Sequence, residues 1–374
     1  MLYRLGCTFV IALLCLINPT LGNHALAQDN QIEIAVAAPL SGEFSELGKE
    51  IRDGATVAET AINSGGGVNG RQIHLTFFDD KGAPQTADQI AREISRKGIH
   101  FVIGHYNSGS SMAAAKVYAK NSVLMISPAS TNPALTASGP WNIIRTSGRD
   151  DLQGAYGGSY MIKHFPGKSI MLIGDGTPYA NGIISKAEQA LSAGKASFSK
   201  LSIKAGQTNF SKIVDTIKGK GVDIIFFAGL GDEYRALVRE ARRQQFGVYF
   251  IGVDGTLGGQ ISNDDIKSLN ETFVTYSRND ASYPVAAEAV RQLRAMGSDD
   301  FAYSLKSYAA VQVLAEGMRQ AQSINPKVVS KTIKSGQTFQ TVLGPLSFDK
   351  NGDRNPTDIT MYVWRGRLTE AAEQ

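Results

Sequence analysis

The chain has 374 residues, of which 43% are hydrophobic and 19% charged, and its formal net charge is +4. Lysine and arginine are scattered among aspartate and glutamate without a basic stripe, so nothing in the sequence indicates a nucleic-acid partner. Beyond the N-terminal segment no apolar run is long enough to span a bilayer. The length favours two domains over one.

Residues 1–27 have the pattern of a secretory signal peptide. Arg4 precedes an apolar run, 7–17, which is too short to cross a membrane. A small-x-small cleavage pattern follows at 25–27, so we expect the mature chain to begin near Gln28 and to be exported.

Both cysteines, Cys7 and Cys15, lie within this predicted signal peptide. We therefore expect a mature protein without disulfides or thiol chemistry. A lipoprotein would be acylated at Cys15, but the preceding Leu14 is large where such sites favour a small residue. Soluble export is favoured over a lipid anchor.

Strand-like and helix-like stretches alternate through the rest of the chain. The predicted strands are short apolar runs at 32–38, 73–78, 101–104, 122–126, 169–173, 223–227 and 248–251. The predicted helices between them include 55–62, 86–97, 209–218 and 233–245. Alternation of this kind predicts parallel sheets with helices on both faces.

Several predicted strands end in small residues, and four of the glycines concerned are Gly104, Gly174, Gly229 and Gly252. Polar or glycine residues follow each of them. Because ligands of open α/β sheets bind outside the carboxyl ends of the strands, we expect a site assembled from segments far apart in the sequence.

Two of these strand ends carry hydroxyl groups. Asn107 and Ser108 follow the strand 101–104 at the start of an alanine-rich helical pattern, and Thr131 follows the next strand. A helix N-terminus suits an anion because its N–H groups are free. Ser108 is predicted to stand at the cap position, where it either caps only its own helix or also donates to a bound carboxylate.

Glycine pairs at two strand ends do not complete a dinucleotide fingerprint. Tyr179 stands where the third glycine would follow Gly174 and Gly176, and Tyr234 does so after Gly229. No phosphate-binding loop and no G-x-S-x-G elbow occurs. We therefore expect no catalytic residues, no cofactor and no enzymatic activity.

A calcium-binding loop is the nearest approach to a metal motif. Asp349, Asn351 and Asp353 fit its first three positions, but the glycine is misplaced and Thr360 stands where a glutamate is required. The histidines are isolated and form no zinc motif. We expect a polar turn there, and no bound metal.

A set of motifs in a fixed order points to one family. The motifs are APLSG at 38–42, GVNGR at 67–71, DD at 79–80, VIGHYNS at 102–108, SPASTNP at 127–133, GPLSFD at 344–349 and GD at 352–353. Over essentially the whole mature chain the sequence resembles the leucine/isoleucine/valine-binding protein family, the periplasmic receptors of ATP-driven amino-acid importers.

The resemblance implies the α/β fold of a type I periplasmic binding protein, with two lobes joined by three hinge crossings. Each lobe would be a mainly parallel sheet flanked by helices. The first lobe would comprise 28–148 plus 279–346, and the second 149–278 plus 347–374. Hinge closure would bury an amino acid in the cleft. The implied protein is a periplasmic monomer that delivers its ligand to membrane permease subunits.

The resemblance also implies a set of ligand-binding positions. The groups matching those that bind the α-carboxylate are Ser108, Thr131 and the backbone of Tyr106 and Ala129, with Asn107 beside them. Asp254 matches the carboxylate that holds the ammonium group. Tyr179 matches a tyrosine whose hydroxyl can bond the ligand or whose ring can face the cation.

Two positions depart from the leucine-binding members. Leu47 and Leu230 stand where those members have aromatic rings, while Tyr106 and Tyr303 remain as expected pocket walls. Other readings therefore stay open. One is a receptor for an aromatic acid or an amide, in which Asp254 would lack an ammonium partner. The others are a ligand-sensing regulatory subunit and an enzyme.

Overall fold

The computed structural model describes residues 31–277, 281, 283–298, 301, 303–356, 359–366 and 368–370. The predicted signal peptide, with both cysteines, lies outside these residues. Across the described residues, no helix combines the length and the apolar character that a membrane crossing requires.

The first lobe is built on a five-stranded sheet in the order β2-β1-β3-β4-β5. All of its strand pairs are parallel. The strands are β1 (Gln31–Ala38), β2 (Gln72–Asp79), β3 (Phe101–Gly104), β4 (Leu124–Ser127) and β5 (Ile143–Arg145). The helices that alternate with them are α1 (Ser45–Ser64), α2 (Pro84–Arg96) and α3 (Ser108–Lys120).

The second lobe contains a seven-stranded sheet in the order β15-β14-β10-β9-β8-β6-β7. Its parallel part comprises β6 (Ile170–Gly174), β7 (Phe198–Ser202), β8 (Ile224–Ala228), β9 (Tyr249–Gly252) and β10 (Phe273–Ser277). The antiparallel edge comprises β14 (Ile359–Trp364) and β15 (Leu368–Glu370). The helices are α4 (Asp150–His164), α5 (Pro178–Ala193), α6 (Ser211–Gly219), α7 (Gly231–Arg243) and α8 (Asn263–Leu269).

Between β10 and β14 the chain returns to the first lobe. This return contains α9 (Ala287–Ala295), α10 (Ser304–Ala321), α11 (Pro326–Ile333), β11 (Phe339–Thr341), β12 (Gly344–Phe348) and β13 (Arg354–Asn355). The predicted boundary at 346/347 falls inside β12, and Leu346 and Phe348 are buried in the same apolar core. The strand therefore stays with the first lobe to its end.

The predicted α/β fold is confirmed, and the reason lies in the strand sequences. β3, β4 and β8 are buried at every position, because helices cover both faces of each parallel sheet. The sequence prediction missed β7, which lies at the sheet edge and has no fully buried position. Without an apolar run, an edge strand gives little signal.

Candidate functional site

A cavity of about 310 Å³ lies between the lobes, and residues of both line it. Its size is within the range of small-molecule sites. Nine of the ten predicted site residues line it, namely Tyr106, Asn107, Ser108, Ala129, Thr131, Tyr179, Leu230, Asp254 and Tyr303. The tenth, Leu47, is not a lining residue. Its side chain is buried in the first-lobe core.

The start of α3 corrects one detail of the sequence prediction. The capping residue is Asn107, whose side chain accepts a hydrogen bond from Ser110 N at 2.8 Å. Asn107 has extended backbone angles, and Ser108 is already the first helical residue. The Ser108 hydroxyl accepts from Asn132 N at 3.2 Å, which leaves its proton available for a ligand. Ser108 is therefore not the cap.

Thr131 provides a second hydroxyl on the same wall. It is 5% exposed, and its Oγ1 has no hydrogen-bond partner of good geometry in the described part of the chain. The buried Asp150 carboxyl lies near this hydroxyl. Because buried hydroxyls are nearly always hydrogen-bonded, the other available partner for one that lines a cavity is a ligand. A ligand carboxylate would satisfy both Thr131 and Ser108.

Asp254 lies on the opposite wall, two residues after the end of β9. Its Oδ1 accepts hydrogen bonds from Gln153 Nε2 at 2.8 Å, Tyr179 OH at 2.6 Å and Gly255 N at 2.9 Å. Among the described residues nothing donates to its Oδ2. The carboxylate is thus fixed through one oxygen, while the other is left for a cation.

The Tyr179 hydroxyl is committed to Asp254. Besides donating to that carboxylate, it accepts a hydrogen bond from Gly255 N at 2.9 Å. Burial raises the pKa of Tyr179 well above its ordinary value, and the charge of Asp254 raises it further, so the phenol is a neutral donor. The resemblance implies that either the hydroxyl bonds the ligand or the ring faces the cation. The hydroxyl already has a protein partner, whereas the ring remains to line the cavity.

Aromatic rings form the apolar part of the cavity. Tyr106 packs edge-to-face on Tyr303 with ring centroids 5.2 Å apart, and Phe44 lies 6.0 Å from Tyr106. Phe44 was not predicted. It lies just before α1, whereas Leu47 is inside the helix, buried in the core with its tip close to Gly258. The signal that could have identified Phe44 was its aromatic ring in the short segment between the APLSG motif and the helix.

Asp150, the first residue of α4, is a buried acid that the sequence did not single out. It is fully buried, and neither carboxyl oxygen has a hydrogen-bond partner of good geometry among the described residues. Burial raises its pKa well above the ordinary value, and the charge of Asp254 adds to this. The nearby Thr131 hydroxyl and the charge of Arg145 oppose the shift. The Asp150 carboxyl therefore holds its proton to a higher pH than an ordinary aspartate does.

Three further carboxylates line the cavity without having been predicted: Glu43, Asp175 and Glu233. Within the described chain, no lysine or arginine lines it. The sequence did draw attention to the two segments that carry Asp175 and Glu233, but only as incomplete dinucleotide motifs. The strand-end rule that drew attention to Ser108 would have selected Asp175 as well.

The segment 349–353, for which the sequence predicts a polar turn, forms a turn between β12 and β13. The Asp353 carboxylate contacts Arg145 Nε at 2.7 Å and Arg149 Nη1 at 2.8 Å. No group of three or more His, Cys, Asp or Glu side chains that could hold a metal occurs within the described residues.

The cavity wall offers hydrogen-bond donors from one lobe and acceptors from the other, which suits a small zwitterion.

Proteins of known identity share both sequence and fold with this chain. The Leu/Ile/Val-binding protein homolog 1 of Brucella suis biovar 1 is 35% identical over 332 residues, which cover 88% of this chain and 90% of that protein. The leucine-binding protein LivK of Thermotoga maritima MSB8 has a TM-score of 0.82 at 24% identity, over 91% of this chain and 98% of that one.

A solute-binding protein from R. palustris, solved with benzoate, reaches the same TM-score of 0.82 at 19% identity, over 91% of this chain and 96% of that one. At this identity the likeness shows the shared fold and leaves the ligand open. A family model described as periplasmic binding protein matches residues 31–369. With this match over most of its length, the chain belongs to the periplasmic binding protein family.

Proposed function

We propose that this protein is the periplasmic solute receptor of an ATP-driven importer and that it captures an α-amino acid in the cavity between its lobes. The single observation that carries the proposal is the two-sided site. Ser108 and Thr131 offer hydroxyl protons on one wall, and Asp254 offers a free carboxylate oxygen on the other. The names of its relatives, which include Leu/Ile/Val-binding proteins, agree with this.

The ligand carboxylate would lie at the start of α3, and its ammonium group would face Oδ2 of Asp254. The unpaired N–H groups and partial positive charge of a helix N-terminus favour an anion there. Burying either ligand charge without a partner is costly, so both ends of the site are needed for a zwitterion to enter.

Ligand binding would close the lobes, since the two ends of the zwitterion contact different lobes. We propose that the first lobe comprises 28–148 and the return from about 279, and that the second comprises 149–278 and the C-terminal strands. The closed receptor would dock on membrane permease subunits as a monomer. Small-angle scattering should show a smaller radius of gyration once ligand is added.

A thermal-shift screen of amino acids and carboxylic acids tests the proposal. A ligand at 100 times its dissociation constant should stabilise the protein by about 2.7 kcal/mol. The deaminated analogue of the best amino acid should bind far more weakly, because Asp254 would then be buried without a cation. If that analogue binds as well as the amino acid, the receptor for a non-amino carboxylate takes the place of this proposal.

A further inference from the structure

The cavity lining also contains a second acidic region, which we call the distal acidic end and define by Glu43, Asp175 and Glu233. Asp175 directly follows β6, and Glu233 lies in the first turn of α7. The charges of Asp175 and Glu43 both raise the pKa of Glu233, which places the three groups within electrostatic reach of one another.

Asp175 is the informative member of this group. It is 5% exposed, and its Oδ1 accepts hydrogen bonds from Thr177 N at 2.9 Å and Thr177 Oγ1 at 2.6 Å. Its Oδ2 is buried and has no partner within the described chain. Asp175 lines the cavity, and a buried carboxylate oxygen left without a donor is expensive to maintain unless a ligand satisfies it.

Glu233 is almost as buried as Asp175 but is held by the backbone. It is 4% exposed and accepts hydrogen bonds from Gly206 N and, at 3.3 Å, from Leu230 N. Gly229 makes room for it, since a Cβ at that position would lie 2.9 Å from Glu233 Oε2. Burial is the main cause that raises the pKa of both Asp175 and Glu233. A bound cation would offset the cost of keeping both carboxylates charged in this buried position.

An apolar stretch accompanies the two acidic regions. Phe44, Pro84, Tyr106 and Ala205 line the same cavity as Asp254 and the distal acidic end. Such a wall suits the methylene stem of a long side chain, and aromatic rings also favour a nearby cation. A branched aliphatic side chain would leave Asp175 Oδ2 unsatisfied.

We propose that the ligand of this receptor is an α-amino acid with a cationic side chain, whose ammonium or guanidinium group binds Asp175 at the distal acidic end. This inference rests on the proposed amino-acid receptor and specifies its substrate class. The α-carboxylate and α-ammonium would use Ser108, Thr131 and Asp254, and the side chain would extend along the apolar stretch.

Matched ligand pairs test this inference by titration calorimetry on the mature protein. Lysine is compared with norleucine, and arginine with citrulline, because each pair differs chiefly in the side-chain charge. Leucine serves as the branched aliphatic probe. We expect at least one basic amino acid to bind tenfold or more tightly than its neutral counterpart. Binding of leucine or norleucine that equals or exceeds that of both basic amino acids would overturn the inference.

Asp175→Asn is the decisive variant, because the amide keeps an oxygen for Thr177 and removes the charge. Loss of one partner of a buried charge pair corresponds to a loss of about thirtyfold or more in affinity for the basic ligand. Norleucine binding should change by less than about threefold. Asp264→Asn, at an exposed carboxylate on α8, removes an equal charge away from the cavity and should leave both affinities unchanged.

The two proposals fail in different ways. If leucine or norleucine binds best and still depends on Ser108 and Asp254, the amino-acid receptor stands and the basic side chain is excluded. If no amino acid binds to a protein whose circular dichroism shows a folded α/β chain, both proposals are wrong. Equal losses for lysine and norleucine in Asp175→Asn would show that Asp175 acts on the fold of the site and does not contact the side chain.

Discussion

Asp254 and Asp175 both follow strands of the second-lobe sheet and both line the cavity, yet their carboxylates differ in how they are held. Oδ1 of Asp254 receives one hydrogen bond from the next residue, Gly255, and two from remote residues, Gln153 and Tyr179, on two other elements. Oδ1 of Asp175 receives both of its hydrogen bonds from Thr177, two residues away.

The difference indicates two kinds of recognition in one cavity. Asp254 is oriented by three donors before any ligand arrives, which suits a group that every α-amino acid shares. Asp175 is held only locally and keeps one buried oxygen unsatisfied, which suits a group that varies between ligands. Pre-organisation at Asp254 would supply general affinity, and Asp175 would supply selectivity.

The largest expected effect is at Asp254. Asp254→Asn should weaken binding of the best amino acid by about thirtyfold or more, because truncating one partner of a buried charge pair typically costs about 2–5 kcal/mol. Isothermal titration calorimetry measures this directly, with Asp264→Asn as the exposed control. Unchanged affinity in Asp254→Asn would show that the α-ammonium binds elsewhere.

Ser108→Ala and Thr131→Ala come next in size. A hydrogen bond to a charged group contributes about 1.5–3 kcal/mol, so each variant should bind roughly ten- to hundredfold more weakly. Thr60→Ala on α1 is a suitable control, since that hydroxyl is exposed and bonds only to its own helix. If both variants retain the parent affinity, the carboxylate does not lie at the start of α3.

Tyr179→Phe should have a smaller effect. The variant removes one of three donors to Asp254 and leaves Gln153 and Gly255 in place, so a loss of about three- to tenfold is expected. Tyr249→Phe, at an exposed ring, is the control. A loss as large as that of Asp254→Asn would mean that the Tyr179 hydroxyl contacts the ligand directly.

Asp150→Asn should alter the pH dependence of stability with little effect at acid pH. Because the folded chain raises the pKa of Asp150, the folded state holds this proton more tightly than the unfolded state. The resulting stability is fully present below the ordinary carboxyl pKa of about 3.9 and is lost as the pH rises through the raised value.

The melting temperature of the parent should therefore fall relative to that of Asp150→Asn as the pH is raised from about 4 towards 8. Scanning calorimetry of both proteins across this range provides the comparison, and Asp215→Asn at an exposed position on α6 controls for loss of one carboxyl. Parallel pH profiles in the parent and Asp150→Asn would mean that Asp150 titrates normally.

The sequence alone was informative wherever local pattern decides structure. Runs of buried residues such as β3 and β8 identified the parallel sheets, because a strand covered on both faces must be apolar along its length. Strand ends then indicated the cavity, and the ordered motifs led to Ser108, Thr131 and Asp254, all of which line it. All three residues lie in segments that follow a strand.

The tertiary structure decided which polar groups lose water and which of them find partners. Asp150 and Asp151 are neighbours at an ordinary helix start, yet Asp150 is fully buried near the Thr131 hydroxyl, while the more exposed Asp151 pairs with Arg149. Leu47 and Phe44 are three residues apart, but only Phe44 reaches the cavity. Burial and pairing depend on segments a hundred or more residues away, as Gln153 and Asp254 show, and no local pattern in the sequence encodes those distances.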